Sequence, residues 1–113
     1  MATRYFISLP DTDKVRASGE FAFISQGAGG LASELQQALR DTALFERWRA
    51  TQEEPDEVDP SLGATDPAAI VTGAMQHHDI RLVATTTLPG EVFKQRLRLL
   101  AGSHWELRDV RSA

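Results

Sequence analysis

The feature that most constrains the fold is a pair of apolar stripes with helical periodicity, each set between runs of strand-like residues. Apolar residues recur every three to four positions through residues 31–39 and again through residues 92–100, as on the buried face of an amphipathic helix. Pro89 and Gly102 stand where the second helix would begin and end. The pattern predicts two helices, and Asp41 leaves open whether the first one continues or a further helix starts there.

Five runs of alternating or β-branched residues predict strands around these helices. Phe21 and Phe23 share one face of the second run, which predicts that this face is buried. The third and fourth runs meet at a turn formed by residues 77–79. The predicted strands are residues 4–9, 20–25, 69–75, 80–85 and 105–110.

The order of these elements predicts an α+β domain. The sequence ββαββαβ contains the βαββαβ unit of the ferredoxin-like sandwich, with one extra strand at the N-terminus. In this class two helices cover one face of an antiparallel sheet. The core expected between the sheet and the helices consists of Phe21, Phe23, Leu35, Leu39, Ile80, Leu82, Phe93, Leu97 and Leu100.

Length and the absence of cysteine narrow the class of protein. A chain of 113 residues has the usual size of one domain, so residues 1–113 are predicted to form a single unit. Without cysteine, disulfides and cysteine-based zinc sites are excluded, which fits a reducing, cytoplasmic location. No run approaches the ~20 apolar residues of a membrane span. Arginine outnumbers lysine ten to two, a bias typical of GC-rich bacterial genomes.

One acidic, proline-containing segment accounts for the net charge of −4. Residues 53–67 hold six carboxylates and no base, while the rest of the chain is close to neutral. Few apolar residues occur there, which predicts a flexible loop at about residues 50–67. The acidity and the lack of an RNP aromatic pattern predict that the protein binds no nucleic acid. Lys94 and Arg98 are assigned to the solvent side of the second helix.

A glycine-rich turn, Gly27-Ala28-Gly29-Gly30, is the candidate ligand site. It lies before the first helix, where backbone N–H groups and the helix dipole favour an anion. Its spacing matches neither the dinucleotide-binding nor the P-loop pattern, and the alternative is a tight turn that requires glycine for its backbone. In layout, residues 25–39 resemble the ligand-facing turn of ACT-type regulatory domains. The resemblance implies amino-acid binding at a subunit interface, and the long acidic insertion departs from it.

The sequence contains no recognisable set of catalytic or metal-binding residues. The serines lack a nucleophile elbow and a paired His and Asp. His77 and His78 would point to opposite faces of a strand, which makes them poor joint ligands. The acidic segment lacks the residue order of an EF-hand loop. We therefore predict no catalytic residue, no metal site and no cofactor.

Three classes of function remain open at this point. A non-catalytic interaction or assembly module is favoured, because two helices cover only one face of the sheet while residues 20–25 and 69–75 carry apolar or small side chains on both faces. This pattern predicts a homodimer formed through the sheet, or otherwise another protein partner. The alternatives are an ACT-like small-ligand regulatory domain and a small enzyme built on a ferredoxin-like dimer.

Overall fold

The computed structural model describes residues 1–113, which form an α+β fold with one four-stranded antiparallel sheet and four helices. The strands are β1 (Thr3–Leu9), β2 (Ile70–Gln76), β3 (Asp79–Thr86) and β4 (Glu106–Ser112). The helices are α1 (Thr12–Arg16), α2 (Ala28–Arg40), α3 (Ala43–Arg49) and α4 (Gly90–Ala101), with short 3-10 turns at Pro55–Glu57 and Pro60–Gly63. No helix is long and apolar enough to cross a membrane.

The strands lie in the order β2-β3-β1-β4, so β1 is an interior strand and β2 and β4 are the two edges. β1 pairs antiparallel with β3 on one side and with β4 on the other, and β2 pairs only with β3. Tyr5, Ile7 and Leu9 alternate toward the helices, where all three are buried. The opposite face of the sheet carries no helix and is called the open face below.

The core between the sheet and the helices contains the predicted residues. All nine are buried except Phe21, which is half-buried and packs against the core cluster. The ring of Tyr5 stacks on that of Phe93 with centroids 4.1 Å apart, which fastens α4 to the middle of the sheet. Gly102 ends α4 with a φ of 60°, as the sequence predicted.

The predicted strand at residues 20–25 is wrong, and so is the extra N-terminal strand. The N–H of Phe23 donates to the carbonyl of Leu100 in α4 (2.8 Å), and the amides of Ile24 and Ser25 donate to the carboxylate of Glu34 in α2. Because these backbone groups bond to helices, the segment has no strand partner. The neighbours Ala22 and Phe23 are both buried, so burial does not alternate along the segment as it would in a strand. The strand predicted as extra is the interior strand β1.

Two further local features settle questions that the sequence left open. The chain forms two helices after the glycine turn, because Asp41 ends α2 and its carboxylate accepts the N–H of Ala43 (3.0 Å) at the start of α3. Residues 12–16, for which the sequence predicted no helix, form the short helix α1, which is capped by Asp11. The first connection of the chain is therefore helical throughout much of its length.

The predicted turn between β2 and β3 is confirmed as a tight hairpin. Gln76 pairs with Asp79, and the two residues between them, His77 and His78, have φ values of 52° and 78°. Positive φ at both central positions is the conformation of a type I′ turn, which matches the twist of the flanking strands. Non-glycine residues occupy this region only at a cost in free energy.

Candidate functional site

The Gly27–Gly30 turn forms the start of α2, with Gly27 as the residue that precedes the helix. Gly30 is required by packing, because an added β-carbon would lie 2.7 Å from the side chain of Ser25. Gly29 faces open space and has no such requirement. None of these glycines has a positive φ, so the turn does not depend on the left-handed backbone that the sequence suggested.

This turn lies over the edge strand β2. At Gly73, in the centre of the strand, an added β-carbon would overlap the carbonyl oxygen of Ala28 and would lie 3.1 Å from a methyl carbon of Leu82. The absence of a side chain at position 73 therefore allows the first turn of α2 to rest on bare backbone. The predicted ligand turn and the edge of the sheet form one continuous region of the surface.

The edge strand β2 is unprotected by charge. Its sequence, Ile-Val-Thr-Gly-Ala-Met-Gln, has no charged residue and no proline. Ile70 is 54% exposed and Met75 is 64% exposed. Natural sheets usually blunt their free edges with charged side chains, proline or bulges, because an open edge pairs readily with another strand. We name the outward side of β2, from Ile70 to Gln76, the β2 edge.

The opposite edge of the sheet has the protection that β2 lacks. β4 carries four charged residues in seven positions, and its pairing with β1 shifts register between the partners of Phe6 and Ile7. Such an irregularity bends a strand and interrupts the row of backbone groups that another strand would use. The two edges of this sheet are therefore chemically different.

Backbone directions along the β2 edge follow from one hydrogen bond. The N–H of Val71 donates to the side-chain oxygen of Gln36 in α2 (3.0 Å) and so faces away from β3. Because backbone groups alternate in direction along a strand, those of Gly73 and Met75 face the same outer side. Gln36 thus satisfies one outward donor, and the others along this edge have no strand partner.

On the open face, arginine side chains of β4 contact the neighbouring strand β1. The guanidinium carbon of Arg111 lies 5.2 Å from the centroid of the Phe6 ring, and Arg108 donates to the hydroxyl of Ser8 (3.0 Å). Carboxylates balance most of these charges through the ion pairs Arg81–Asp79, Arg108–Glu106 and Arg111–Asp109. The hydrogen bond from Arg111 lowers the pKa of Asp109.

Sequence reasoning missed a buried arginine. Arg96 of α4 is fully buried and donates to the carbonyls of Ala38 (2.6 Å), Leu62 (2.8 Å) and Ala64 (2.6 Å). No carboxylate lies within ion-pair distance, and burial lowers the pKa of Arg96. The signal was present in the sequence, because Arg96 lies three residues after Phe93, on its face of the helix.

Asp66 is the second buried polar group and belongs to the acidic segment. Its carboxylate accepts from the amides of Ala68 (3.1 Å) and Thr87 (2.9 Å) and from the hydroxyl of Thr86 (2.8 Å). The bond from Thr87 is the main cause of a lowered pKa of Asp66. Together with Arg96, these bonds fasten residues 60–67 to the core, while the mobility predicted for this acidic segment stays a prediction.

The histidine and acidic side chains do not come together to form a metal site. His77 and His78 occupy the hairpin turn, and no group of three His, Cys, Asp or Glu side chains is placed to hold a metal ion. The two basic residues that the sequence assigned to the solvent side of α4 differ in exposure: Arg98 is exposed, whereas Lys94 is half-buried. The features that remain as candidate sites are the β2 edge with its neighbouring turn and a groove beside α3.

Comparison of the chain with models of protein families, with characterised proteins and with solved structures finds no significant match. No relative therefore assigns a role to the β2 edge or to the turn above it. What these residues do has to follow from their own chemistry.

Proposed function

We propose that the protein is a non-catalytic assembly module that forms a homodimer by pairing its β2 edge with that of a second copy. The observation that carries the proposal is the contrast between the two edges of the sheet. β2 has no charge, proline or bulge, whereas β4 has charged residues and a register shift. Strand addition at an open edge supplies main-chain hydrogen bonds to both partners.

A two-fold axis beside Gly73 uses this strand symmetrically. In an antiparallel register, Gly73 then faces its own copy, Val71 faces Met75, and Thr72 faces Ala74. The outward backbone groups of Gly73 and Met75 gain partners in this arrangement. The N–H of Val71 exchanges the oxygen of Gln36 for a carbonyl of the second copy, so one side-chain hydrogen bond is replaced by a main-chain one.

The helix above the edge supports the same geometry. Gly29, Ser33 and Gln36 lie at spacings of four and three, which places them on one stripe of α2. Ser33 is exposed, and nothing lies within 4 Å of a β-carbon built at Gly29. Because this stripe is uncharged and Gly29 and Ser33 are small, two copies of α2 can approach each other over the joined sheets.

We extend the proposal to the fold class. A ferredoxin-like arrangement is supported by the chain path, in which β1 and β2 flank β3 and helices occur in the connections from β1 to β2 and from β3 to β4. In this proposal β1 is the first strand of the unit. The helices α1 and α3 and the acidic segment are then additions to the first connection.

Light scattering after size exclusion at micromolar concentration tests the dimer, with twice the chain mass of 12.4 kDa as the expected result. The double variant Thr72→Lys/Ala74→Lys sets like charges opposite each other across the axis and should elute as a monomer. Thr72→Lys/Ala74→Glu sets opposite charges there and should remain a dimer. Both positions are exposed, so the monomer should fold in either case.

Leu107→Lys, on the other edge, is the matched control and should leave the dimer intact, because Leu107 lies on β4. A monomeric wild-type protein would overturn the homodimer. A dimer that survives Thr72→Lys/Ala74→Lys would show that the interface lies elsewhere.

A second candidate function is a regulatory domain that binds a small ligand at Gly27, Ala28, Gly29 and Gly30. The observation in its favour is that the amides of Ala28, Gly29 and Gly30 donate to no acceptor within the protein, while the turn lies over the β2 edge. Titration of 15N-labelled protein with a mixture of the proteinogenic amino acids tests this function. Binding at the turn should shift those three amide signals, and unchanged signals would exclude it for amino acids.

The remaining expectations from the sequence stay predictions. The cytoplasmic location and the absence of membrane binding are among them. The prediction that nucleic acid is not bound gains support from the open face, where three of the four arginines are each paired with a carboxylate and only Arg4 has no ion pair. Such pairs leave little unbalanced positive charge for phosphates.

A further inference from the structure

A groove of about 340 Å3 lies between residues 20–24, α2 and α3. None of its lining residues belongs to the β2 edge or to the Gly27–Gly30 turn, so it is independent of the proposed dimer. It is formed because the segment predicted as a strand bends back on the helices, with Phe23 anchored in the core and Phe21 left at the surface.

The floor of the groove is apolar. Ala38 of α2, Leu44 of α3 and Leu100 of α4 line it together with the ring of Phe21. Phe21 is half-buried and presents its face to the guanidinium of Arg47, which lies 5.4 Å from the ring centroid. Arg47 forms no ion pair, so the ring is its main partner. The cation–π contact with Arg47 shows that the face of the Phe21 ring is accessible to a cation.

Carboxylates surround this floor. Glu34 of α2 and Asp41, directly after α2, stand on one wall, and Glu20 stands on the opposite rim. Glu34 is held by the amides of Ile24 and Ser25, and Asp41 is held by Gln37 and Ala43. Glu20 is exposed and has neither a hydrogen bond nor an ion pair. Three carboxylates face one guanidinium, so the rim is negative overall.

We propose that this groove binds a small amphipathic cation, an apolar or aromatic body that carries one ammonium group. The apolar body lies on Phe21, Leu44 and Leu100, and the ammonium is attracted by Glu20 and by the carboxylates of the opposite wall. The charge of the rim selects against an anion of the same shape, which Arg47 alone would have to bind. The volume is near the lower end of small-molecule sites, which favours a small amine as the occupant over a folded partner.

Titration of 15N-labelled protein with 2-phenylethylammonium, followed by its heteronuclear correlation spectrum, tests the proposal. The amine should shift amide signals of residues 20–24 and of the facing turns of α2 and α3 in a saturable way. Phenylacetate has the same body with the opposite charge and should produce no saturable shift there. Equal or tighter binding of phenylacetate would overturn the proposal, and so would the absence of a saturable shift with the amine at millimolar concentration.

Single variants separate the contribution of the rim carboxylates to binding from that of the protein's net charge. Glu20→Gln should weaken binding of 2-phenylethylammonium about threefold, as expected for loss of one exposed charge interaction. Glu54→Gln, in the acidic segment, removes the same charge outside the groove and should leave the affinity unchanged. If both variants weaken binding equally, the effect is one of net charge and the groove is not the site. The Thr72→Lys/Ala74→Lys protein should bind the amine like the wild type, because neither position lines the groove. This result is expected whether the wild-type protein is a monomer or a dimer.

Discussion

The carbonyl oxygen of Ala28 rests on Gly73, so that α2 and β2 meet through backbone with no side chain between them. This contact sets the height of the helix over the edge strand. It also places the glycine-rich turn next to the strand that we propose as the dimer interface. The glycine-rich turn and β2, which are distant in the sequence, therefore depend on each other for their position.

Gly73→Ala should destabilise the protein by about 1–3 kcal/mol, because the new methyl group overlaps backbone that cannot move without shifting α2. Urea denaturation at one fixed protein concentration measures the loss. Gly29→Ala is the matched control, since it adds the same methyl group in open space within a helix. It should be neutral or stabilising by up to about 1 kcal/mol. Equal effects of the two substitutions would contradict the close approach at position 73.

Arg96→Met should cost about 2–4 kcal/mol, because the carbonyls of Ala38, Leu62 and Ala64 lose their donor. Limited proteolysis should also cut residues 55–64 faster in the variant, since the guanidinium fastens that part of the chain. Arg98→Met, two residues along the same helix, removes an exposed guanidinium and should stay within about 0.5 kcal/mol of wild type. A neutral Arg96→Met variant would mean that these bonds contribute no net stability.

Asp66 should make stability depend on pH in acid. Hydrogen bonds from Thr87 and its neighbours lower the pKa of this carboxyl in the folded protein. Its contribution is therefore present above the ordinary value of about 3.9 and is lost as the pH falls through the lowered folded pKa.

Asp66→Asn should be less stable than wild type by about 1–3 kcal/mol near neutral pH, because the amide cannot accept all the bonds of the carboxylate. Thermal melts of both proteins at a series of pH values measure the difference. It should shrink as the pH approaches about 2. A difference that does not depend on pH would exclude the charge of Asp66 as its source.

The turn between β2 and β3 can be made more stable by substitution of His77 and His78, which both have positive φ. His77→Asn/His78→Gly replaces two side chains at positive φ with the pair that type I′ turns prefer. Thermal denaturation should show an increase in stability of about 1 kcal/mol or more. His78→Val tests the opposite direction, since a β-branched residue is strained at this φ. If neither substitution changes the melting temperature, the turn is not under strain.

Local periodicity was enough to predict α2, α4, the β2–β3 hairpin and most of the core, whereas α1 was not predicted. Leu35, Leu97 and Ile80 are buried as their spacing indicated, because an apolar stripe along one face of a helix or strand is stable only when that face packs against the core. The same reasoning failed for residues 20–25. Alternation specifies which side chains are buried, but whether a segment is a strand depends on a distant partner, and here Leu100 and Glu34 take the backbone bonds instead.

The candidate sites were harder to predict for the same reason. The Gly27–Gly30 turn was visible in the sequence, but the β2 edge was not, because the exposure of a strand edge depends on strand order. The burial of Arg96 was not predicted, because a charged residue is normally assigned to solvent. Only the carbonyls that surround it, contributed by residues 38 to 64, make its burial tolerable.

The difference between β2 and β4 has a consequence for how far assembly can proceed. A sheet with two unprotected edges can add neighbours at both ends and grow into a fibre, whereas in this sheet only the β2 edge lacks charged residues. Once that edge is occupied by a second copy, both outer strands of the joined sheet are the charged strand β4. In the proposed dimer, growth therefore terminates at two chains, and the uncharged strand that would otherwise promote aggregation at high concentration is buried at the centre.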